Sequence, residues 1–286
     1  MARMRTLAER AEHLLGAAVV STAPVAGGDT CTSTRLRLSD GRSALIKTRP
    51  NPPAGFFEAE ARGLRWLAEP GVAPVAEVLG VQEDCLVLGW VEPTKPTPEA
   101  AAEFGRMLAR LHASGAEEFG AEQDGFISTL PLPNRTCPSW PEFFAVRRIL
   151  PYLRLVTDRG QISPADAEAV DGVVRRIVEL AGPDEPPARL HGDLWSGNLV
   201  WSADRSAVLV DPSAYGGHRE TDLAMLTLFG MPQLARVLAA YAEETPLADG
   251  WEERQPLHQL FPLLVHAALF GGRYGALAGD AARKLL

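Results

Sequence analysis

The sequence predicts an α+β protein of two lobes: a small antiparallel sheet with one key helix, then a mostly helical lobe. Three observations predict it. Residues 1–91 hold paired apolar or alternating runs joined by short polar turns, the pattern of hairpins. The stretch Glu92-Pro93-Thr94-Lys95-Pro96-Thr97-Pro98 carries three prolines in seven residues, a stiff, non-helical connection. Beyond it, apolar residues recur at helical spacing. The expected units are therefore 1–91 and 92–286.

The elements follow in order. Residues 6–16 read as an amphipathic helix stopped by Gly16. A strand-like segment follows, then the turn Val25-Ala26-Gly27-Gly28-Asp29-Thr30. Thr32 to Leu38 alternates as a strand, Asp40-Gly41 is a hairpin turn, and Ser43 to Lys47 returns. A double glycine between strands lets backbone N–H groups approach a phosphate closely, so Gly27 and Gly28 are phosphate-binding candidates. Lys47 closes the apolar run Ala44-Leu45-Ile46 and is the candidate cation for those phosphates. After the loop Pro50 to Gly55, Phe57 to Leu67 reads as a helix with Leu64 and Leu67 inward. Glu58 and Glu60 on that helix point to different faces, so only one can meet Lys47. Val75 to Val81 and Cys85 to Val91 form a further hairpin, whose exit at Gly89, Trp90 and Val91 passes into the proline-rich connection.

In the second unit, Phe104, Met107, Leu108 and Leu111 form one helix face, closed by His112, which reads as a core or cap histidine. Gly125 to Pro138 reads as a loop, and Trp140 to Leu155 and Pro164 to Ala181 as helices. Pro232 to Glu244 and Glu252 to Phe270 are two more, with the stripe Leu257, Leu260, Phe261, Leu264, Val265 and Leu269 assigned to packing. A short helix ends the chain.

Bulk properties bound the function. At 286 residues, with 46% hydrophobic and 22% charged, the chain reads as an ordinary soluble globular protein. A net charge of -8 argues against nucleic acid or an anionic membrane as the main partner, yet leaves ATP open. Cys31, Cys85 and Cys137 stand far apart without a CxxC pair, so a reduced cytoplasmic chain without disulfides is expected. Charges and His13 follow Arg3 and Arg5, so no signal peptide is expected. The longest apolar run, Phe261 to Phe270, is too short to span a bilayer.

The chemistry concentrates between Leu190 and Gly230. Asp193 and Asn198 stand five apart, and Asp211 follows Asn198 by thirteen. Asn198 to Trp201 and Ala207 to Val210 read as two short strands around the turn Ser202-Ala203-Asp204-Arg205. Such a hairpin brings Asn198 and Asp211 to one place, where their oxygens suit Mg2+. This is the spacing of a kinase-type catalytic segment. There one aspartate takes the proton of the attacking hydroxyl, while an asparagine and a second aspartate hold the metal that bridges the phosphates.

With these residues placed, the chain resembles the fructosamine kinase (ketosamine-3-kinase) family of protein-kinase-like phosphotransferases, relatives of the aminoglycoside and choline kinases. The resemblance runs from the GGD turn through LIK, FEAEARGLRWL, LVL and ARLH. It is most specific in HGDLWSGN and DPSAYGGHRETDLAMLTLFG. It implies a protein-kinase-like fold with ATP and Mg2+ in the interlobe cleft. Asp193 would be the catalytic base, Asn198 and Asp211 the metal ligands, Lys47 the phosphate anchor, and Glu60 the residue that orients Lys47. Gly89, Trp90 and Val91 would form the hinge. Trp195 would shape the sugar pocket, with His218, Arg219 and Glu220 lining the substrate cleft, while Asp222 would tie the catalytic loop to the next helix. The implied reaction phosphorylates a sugar hydroxyl, O3, of a small or protein-bound ketosamine such as a fructosyl- or ribulosyl-amine. A monomer or weak homodimer is expected.

Two departures stand out. The family's paired aromatics after Asp211 are reduced here to Tyr215, and Cys31 follows the glycine turn where an aromatic is usual, reading as a small strand residue with a redox role as the alternative. The alternatives are a phosphotransferase of the aminoglycoside or homoserine kinase type, and a nucleotide-binding protein without turnover.

Overall fold

The structure, a computed structural model, describes residues 6–26, 30–204 and 206–286, so the turn residues Gly27 and Gly28 and the hairpin residue Arg205 lie outside the described residues. Helix α1 (Leu7–Leu15) opens on a capping box. The Thr6 hydroxyl accepts from the Glu9 N–H and the Glu9 carboxylate accepts from the Thr6 N–H. Gly16, at φ 65°, closes the helix in the left-handed conformation.

Strands β1 (Val19–Val25), β2 (Thr32–Leu38), β3 (Ser43–Thr48), β4 (Val78–Gln82) and β5 (Cys85–Gly89) form one antiparallel sheet in the order β1-β2-β3-β5-β4. Period-two alternation divides β5 between two cores. Cys85 and Val87 join Ala11 of α1, Leu36 and Ile46 on one face. Leu86 and Leu88 join Phe57, Ala61 and Leu64 of α2 (Phe56–Ala68) on the other. Pairing of Lys47 with Ser33 and Leu86 fixes the lysine's place on the α2 side.

Helix α3 (Pro98–Ala113) begins one residue earlier than the proline-rich connection suggests. Pro98 occupies its first turn, where the missing N–H costs nothing, and Thr97 caps it. Helices α3 and α9 (Leu234–Glu244) approach so closely at Gly105 that a Cβ there would stand 2.2 Å from the Val237 carbonyl oxygen. Gly105→Ala is therefore expected to destabilise the fold by about 3 kcal/mol through overpacking. Wild-type stability in denaturant unfolding would show that the contact is not formed.

Two regions differ from their sequence reading. Gly125 to Pro138 contains a hairpin, β6 (Gly125–Ile127) and β7 (Leu130–Leu132), which its prolines disguise as plain loop. Trp140 to Leu155 is not one α-helix. Helix α4 (Trp140–Phe143) passes through a π-helical segment, Phe144–Ile149, into α5 (Leu150–Asp158). Pro151 has no N–H for the carbonyl of Arg147, which instead accepts from the Arg148 guanidinium at 3.2 Å.

Helices α6 (Pro164–Arg175) and α7 (Ile177–Leu180) break at Arg176. Strands β8 (Ala188–Leu190), β9 (Leu199–Ser202), β10 (Ser206–Leu209) and β11 (Tyr215–Gly217) pair as β9–β10 and β8–β11. Helices α8 (Glu220–Phe229), α10 (Trp251–Phe270) and α11 (Tyr274–Arg283) complete the chain. The α10 stripe from Leu257 to Val265 is buried as expected, with Leu269 half-buried. No helix among the described residues is long and apolar enough to cross a membrane.

The sheet and the helical part are tied away from the cleft as well. Val75 bridges Leu209 in parallel, with Ala76 N–H donating to Leu209 O and Leu209 N–H to Pro74 O, both at 3.0 Å.

Candidate active site

A cleft of about 1090 Å³ lies between the sheet and the helices, lined among others by Lys47, Glu60, Asp193, Trp195, Asn198 and Asp211. Strand β3 delivers Lys47, and helix α2 delivers Glu60 rather than Glu58. Lys47 Nζ donates to both Glu60 oxygens at 2.7 and 2.8 Å and to Asp211 Oδ1 at 2.8 Å. Its three N–H bonds are thereby engaged. Burial disfavours the ammonium, but Glu60 and Asp211 outweigh it and raise the lysine pKa. Asp211 is lowered, because Lys47 overcomes the burial that opposes its charge. Burial pushes Glu60 up to about 7, with Lys47 pulling the other way.

The loop that carries Asp193 is held by backbone geometry. Gly192 sits at φ +81°, and a Cβ there would stand 2.1 Å from Ser213 O, so this position requires glycine. The N–H groups of His191 and Gly192 donate to the two oxygens of Asp222, at 2.8 and 3.0 Å. Asp222, in the first turn of α8, thus anchors the loop. His112 lies behind it, buried between Asp222 and the Tyr241 hydroxyl, as a core histidine. His191 spans the site, accepting from Asp193 N–H at 3.3 Å and donating from Nε2 to Val210 O at 2.9 Å. Burial lowers its pKa, which keeps the ring neutral for that arrangement.

Asn198 Nδ2 donates to Asp193 O at 2.8 Å, to Asp193 Oδ2 at 2.9 Å and to Asp211 O at 3.4 Å. The asparagine therefore ties the two aspartates together while its own amide oxygen stays clear of Asp193. With Asp211 Oδ1 on Lys47, the oxygens left are Asn198 Oδ1 and Asp211 Oδ2, hard donors of the type Mg2+ takes. Asp211 itself has φ 53°, a strained value at the end of the hairpin. Burial pushes the Asp193 carboxyl up to about 7, against the lowering effect of Asn198.

Other expected site residues fall differently. Leu88 lines the cleft, whereas Gly89, Trp90 and Val91 are not among its lining residues. Gly89 N–H donates to Glu77 O and Trp90 N–H to Ser43 O, so both are spent within the sheet. Trp195 is 41% exposed and lines the cleft, its indole lying over Gly197. Cys31 lines the cleft as a free thiol, and burial pushes its pKa up, away from the reactive thiolate.

His218, Arg219 and Glu220 do not line the cleft, contrary to the expectation drawn from the family resemblance. They form an ionic cluster behind it, with His218 and Glu220 buried and Arg219 half-buried. Arg254 grips Glu220 with bonds of 2.6 and 3.0 Å, and Arg219 grips Glu185 with two of 2.7 Å. His258 Nε2 lies 3.2 Å from Glu220 Oε2 but out of line for a hydrogen bond. Burial opposes the Glu220 charge, yet His258 and Arg254 hold its carboxyl down to about 2. Burial and the neighbouring His258 ring push His218 down to about 3, so it is neutral. The ligand atoms of His218, Glu220 and His258 lie within 4.8 Å of one another, but Arg254 already occupies both Glu220 oxygens. The physical reason is ordinary: charges leave water only when paired.

The sequence profile of the fructosamine kinase family matches residues 3–286. The chain belongs to the fructosamine kinase family. A relative in Thermus thermophilus, named a ketoamine kinase, is 41% identical over 256 residues, 89% of this chain and 90% of that one. A crystal structure from Thermobifida fusca, named as a fructosamine-3-kinase, superposes with a TM-score of 0.94 at 48% identity, covering 99% of each chain. A choline kinase structure from Streptococcus pneumoniae has a TM-score of 0.63 at 17% identity, covering 97% of this chain and 96% of that one, a likeness of fold alone. As a fructosamine kinase, the protein is an enzyme, a phosphotransferase of the kinase class.

Proposed function

We propose that the enzyme transfers the γ-phosphoryl group of ATP to a sugar hydroxyl, O3, of a ketosamine such as a fructosyl- or ribulosyl-amine. The observation that carries the reading is the juxtaposition, in one cleft, of Asp193 with the Asn198–Asp211 oxygen pair and the Lys47–Glu60 pair.

The nucleotide lies between residues 1–91 and 92–286. Asn198 and Asp211 would hold Mg2+, which when bound neutralises charge on the phosphates. Lys47, oriented by Glu60, turns its ammonium to the phosphates by giving up one of its carboxylate contacts. Adenine lies against the end of β5, where Leu88 lines the cleft just before the expected hinge residues Gly89, Trp90 and Val91. Asp193 accepts the proton of the acceptor hydroxyl, a task its raised pKa suits near neutral pH. Trp195 offers an exposed apolar ring to the C–H face of the sugar.

ATP consumption with Mg2+ against fructosyl-lysine, ribulosyl-lysine, a free ketose and an aminoglycoside tests the proposal. Turnover confined to the two ketosamines is expected. Turnover on the aminoglycoside alone would move the enzyme to the antibiotic kinase type, and ATP binding without turnover on any acceptor would leave a nucleotide-binding protein.

A further inference from the structure

The β6–β7 hairpin follows helix α3, yet its contacts run to both sides of the cleft. Ser213, two residues after Asp211, donates from Oγ to Phe126 O at 2.9 Å. On the opposite side, the Phe126 ring packs against Phe56 of α2 with centroids 5.3 Å apart, and Arg62 of α2 donates to Asp124 O at 3.3 Å. At the tip of the hairpin, Ser128 has φ 51°. A serine adopts that left-handed conformation only at a cost, and such strain gathers at sites where a side chain must be aimed. The aim is visible here. Ser128 Oγ lies 3.0 Å from Thr30 Oγ1, which belongs to the turn joining β1 to β2, 98 positions earlier. Both residues line the cleft.

Two hydroxyls in contact use one proton between them, so the pair keeps a second O–H free to donate elsewhere. In the free protein Lys47 has its three N–H bonds on Glu60 and Asp211, so hydroxyls on the cleft wall add donors that are not already held by carboxylates. Phosphoryl transfer spreads negative charge over three equatorial oxygens, and donors placed where that charge develops lower the barrier.

The geometry points to Ser128 as a further catalytic residue: with Thr30, it donates a hydrogen bond to the phosphoryl group in transfer. The inference rests on the kinase reading above. Neither hydroxyl gives up its proton, since the acceptor's proton goes to Asp193, so the pair acts by hydrogen bonding alone. In the free protein the two hydroxyls satisfy each other across the cleft. When the nucleotide is present, both turn toward its terminal phosphate, and the hairpin, fixed by Ser213 and Phe56, carries the Ser128 donor from the helical side.

The test separates hydroxyl from strain. Ser128→Gly removes the hydroxyl and relieves the left-handed backbone, whereas Ser128→Asn keeps a donor and tolerates that backbone. In Ser128→Gly, kcat is expected to fall roughly 10- to 100-fold, the value of one hydrogen bond to a charged group, with KM for ATP and for the ketosamine little changed. The thermal midpoint should stay near wild type, and Ser128→Asn should recover part of the loss. Thr30→Val should lower kcat too, and the double variant should lose less than the product of the single losses. Wild-type kcat in Ser128→Gly would overturn the proposal and assign the strain to turn geometry alone. A rise confined to the ketosamine KM would overturn it too, placing the hydroxyl on the sugar. If the unaltered protein turns over no acceptor, the kinase reading falls and this proposal with it, whereas activity that survives Ser128→Gly removes this proposal alone.

Discussion

Asp193→Asn is expected to lower kcat by about 1,000-fold or more, the upper part of the range for loss of a positioned base, with nucleotide affinity nearly intact. The substitution keeps the side chain's shape and one oxygen, and Asp193 is neither of the two residues assigned to the metal. Equilibrium binding of ADP beside single-turnover phosphorylation would distinguish the two effects. Turnover that survives would remove Asp193 from the base role.

The same residue sets a pH dependence. Burial moves its carboxyl from 3.8 up to about 7, so kcat/KM should fall tenfold per pH unit below that value, as the base becomes protonated. The sign for stability is the reverse of the usual carboxylate case. The raised pKa means that the folded state favours the protonated form, so this contribution is present at low pH and lost as pH rises from about 3.8 to about 7. Asp193→Asn should therefore be no less stable than wild type at pH 8.

Glu220→Ala is expected to produce a large effect on stability, about 3–5 kcal/mol, because it strands buried cationic Arg254 without its carboxylate. Glu220 is 2% exposed and Arg254 9%, so water screens the pair little. Activity per folded molecule should change by less than about threefold, since neither residue lines the cleft. Glu220→Ala with Arg254→Met should recover part of the stability, because no charge is then left unpaired. Denaturant unfolding and steady-state kinetics on the same samples decide. A ketosamine KM raised tenfold with stability unchanged would return Glu220 to the substrate.

These two residues also mark what the sequence could and could not say. Asp193, Asn198 and Asp211 were legible because a short hairpin links them, and local chain geometry brings them together almost unaided. Lys47 and Glu60 were legible as a pair only once the family resemblance chose between Glu58 and Glu60. The run His218-Arg219-Glu220 misled because its partners, Glu185, Arg254 and His258, arrive from distant elements, and a charged run reads alike whether it faces ligand or buried counter-charges. The β6–β7 hairpin escaped notice since Pro131 and Pro133 mask a strand whose neighbour is only three residues long. Strand β11, Tyr215-Gly216-Gly217, has no alternation to detect and exists because it pairs with β8. The π-helical segment follows from Pro151, though a proline alone does not say whether a helix will kink, stop or widen.

The tie between Val75 and Leu209 bears on how the protein is made. Val208, fully buried, completes the core between α2 and the sheet, and the neighbouring Leu209 pairs with Pro74 and Ala76. The amino-terminal sheet thus lacks a core residue and two hydrogen bonds until the ribosome has added more than one hundred further residues. Domains commonly fold in the order in which they emerge. Here the core between α2 and the sheet is completed only when β10 joins it, and that part of its apolar face is unfilled until then. The residues that the cleft brings together are then assembled late and at once, when the segment carrying Asp193 and Asp211 docks onto the sheet that has been holding Lys47 ready.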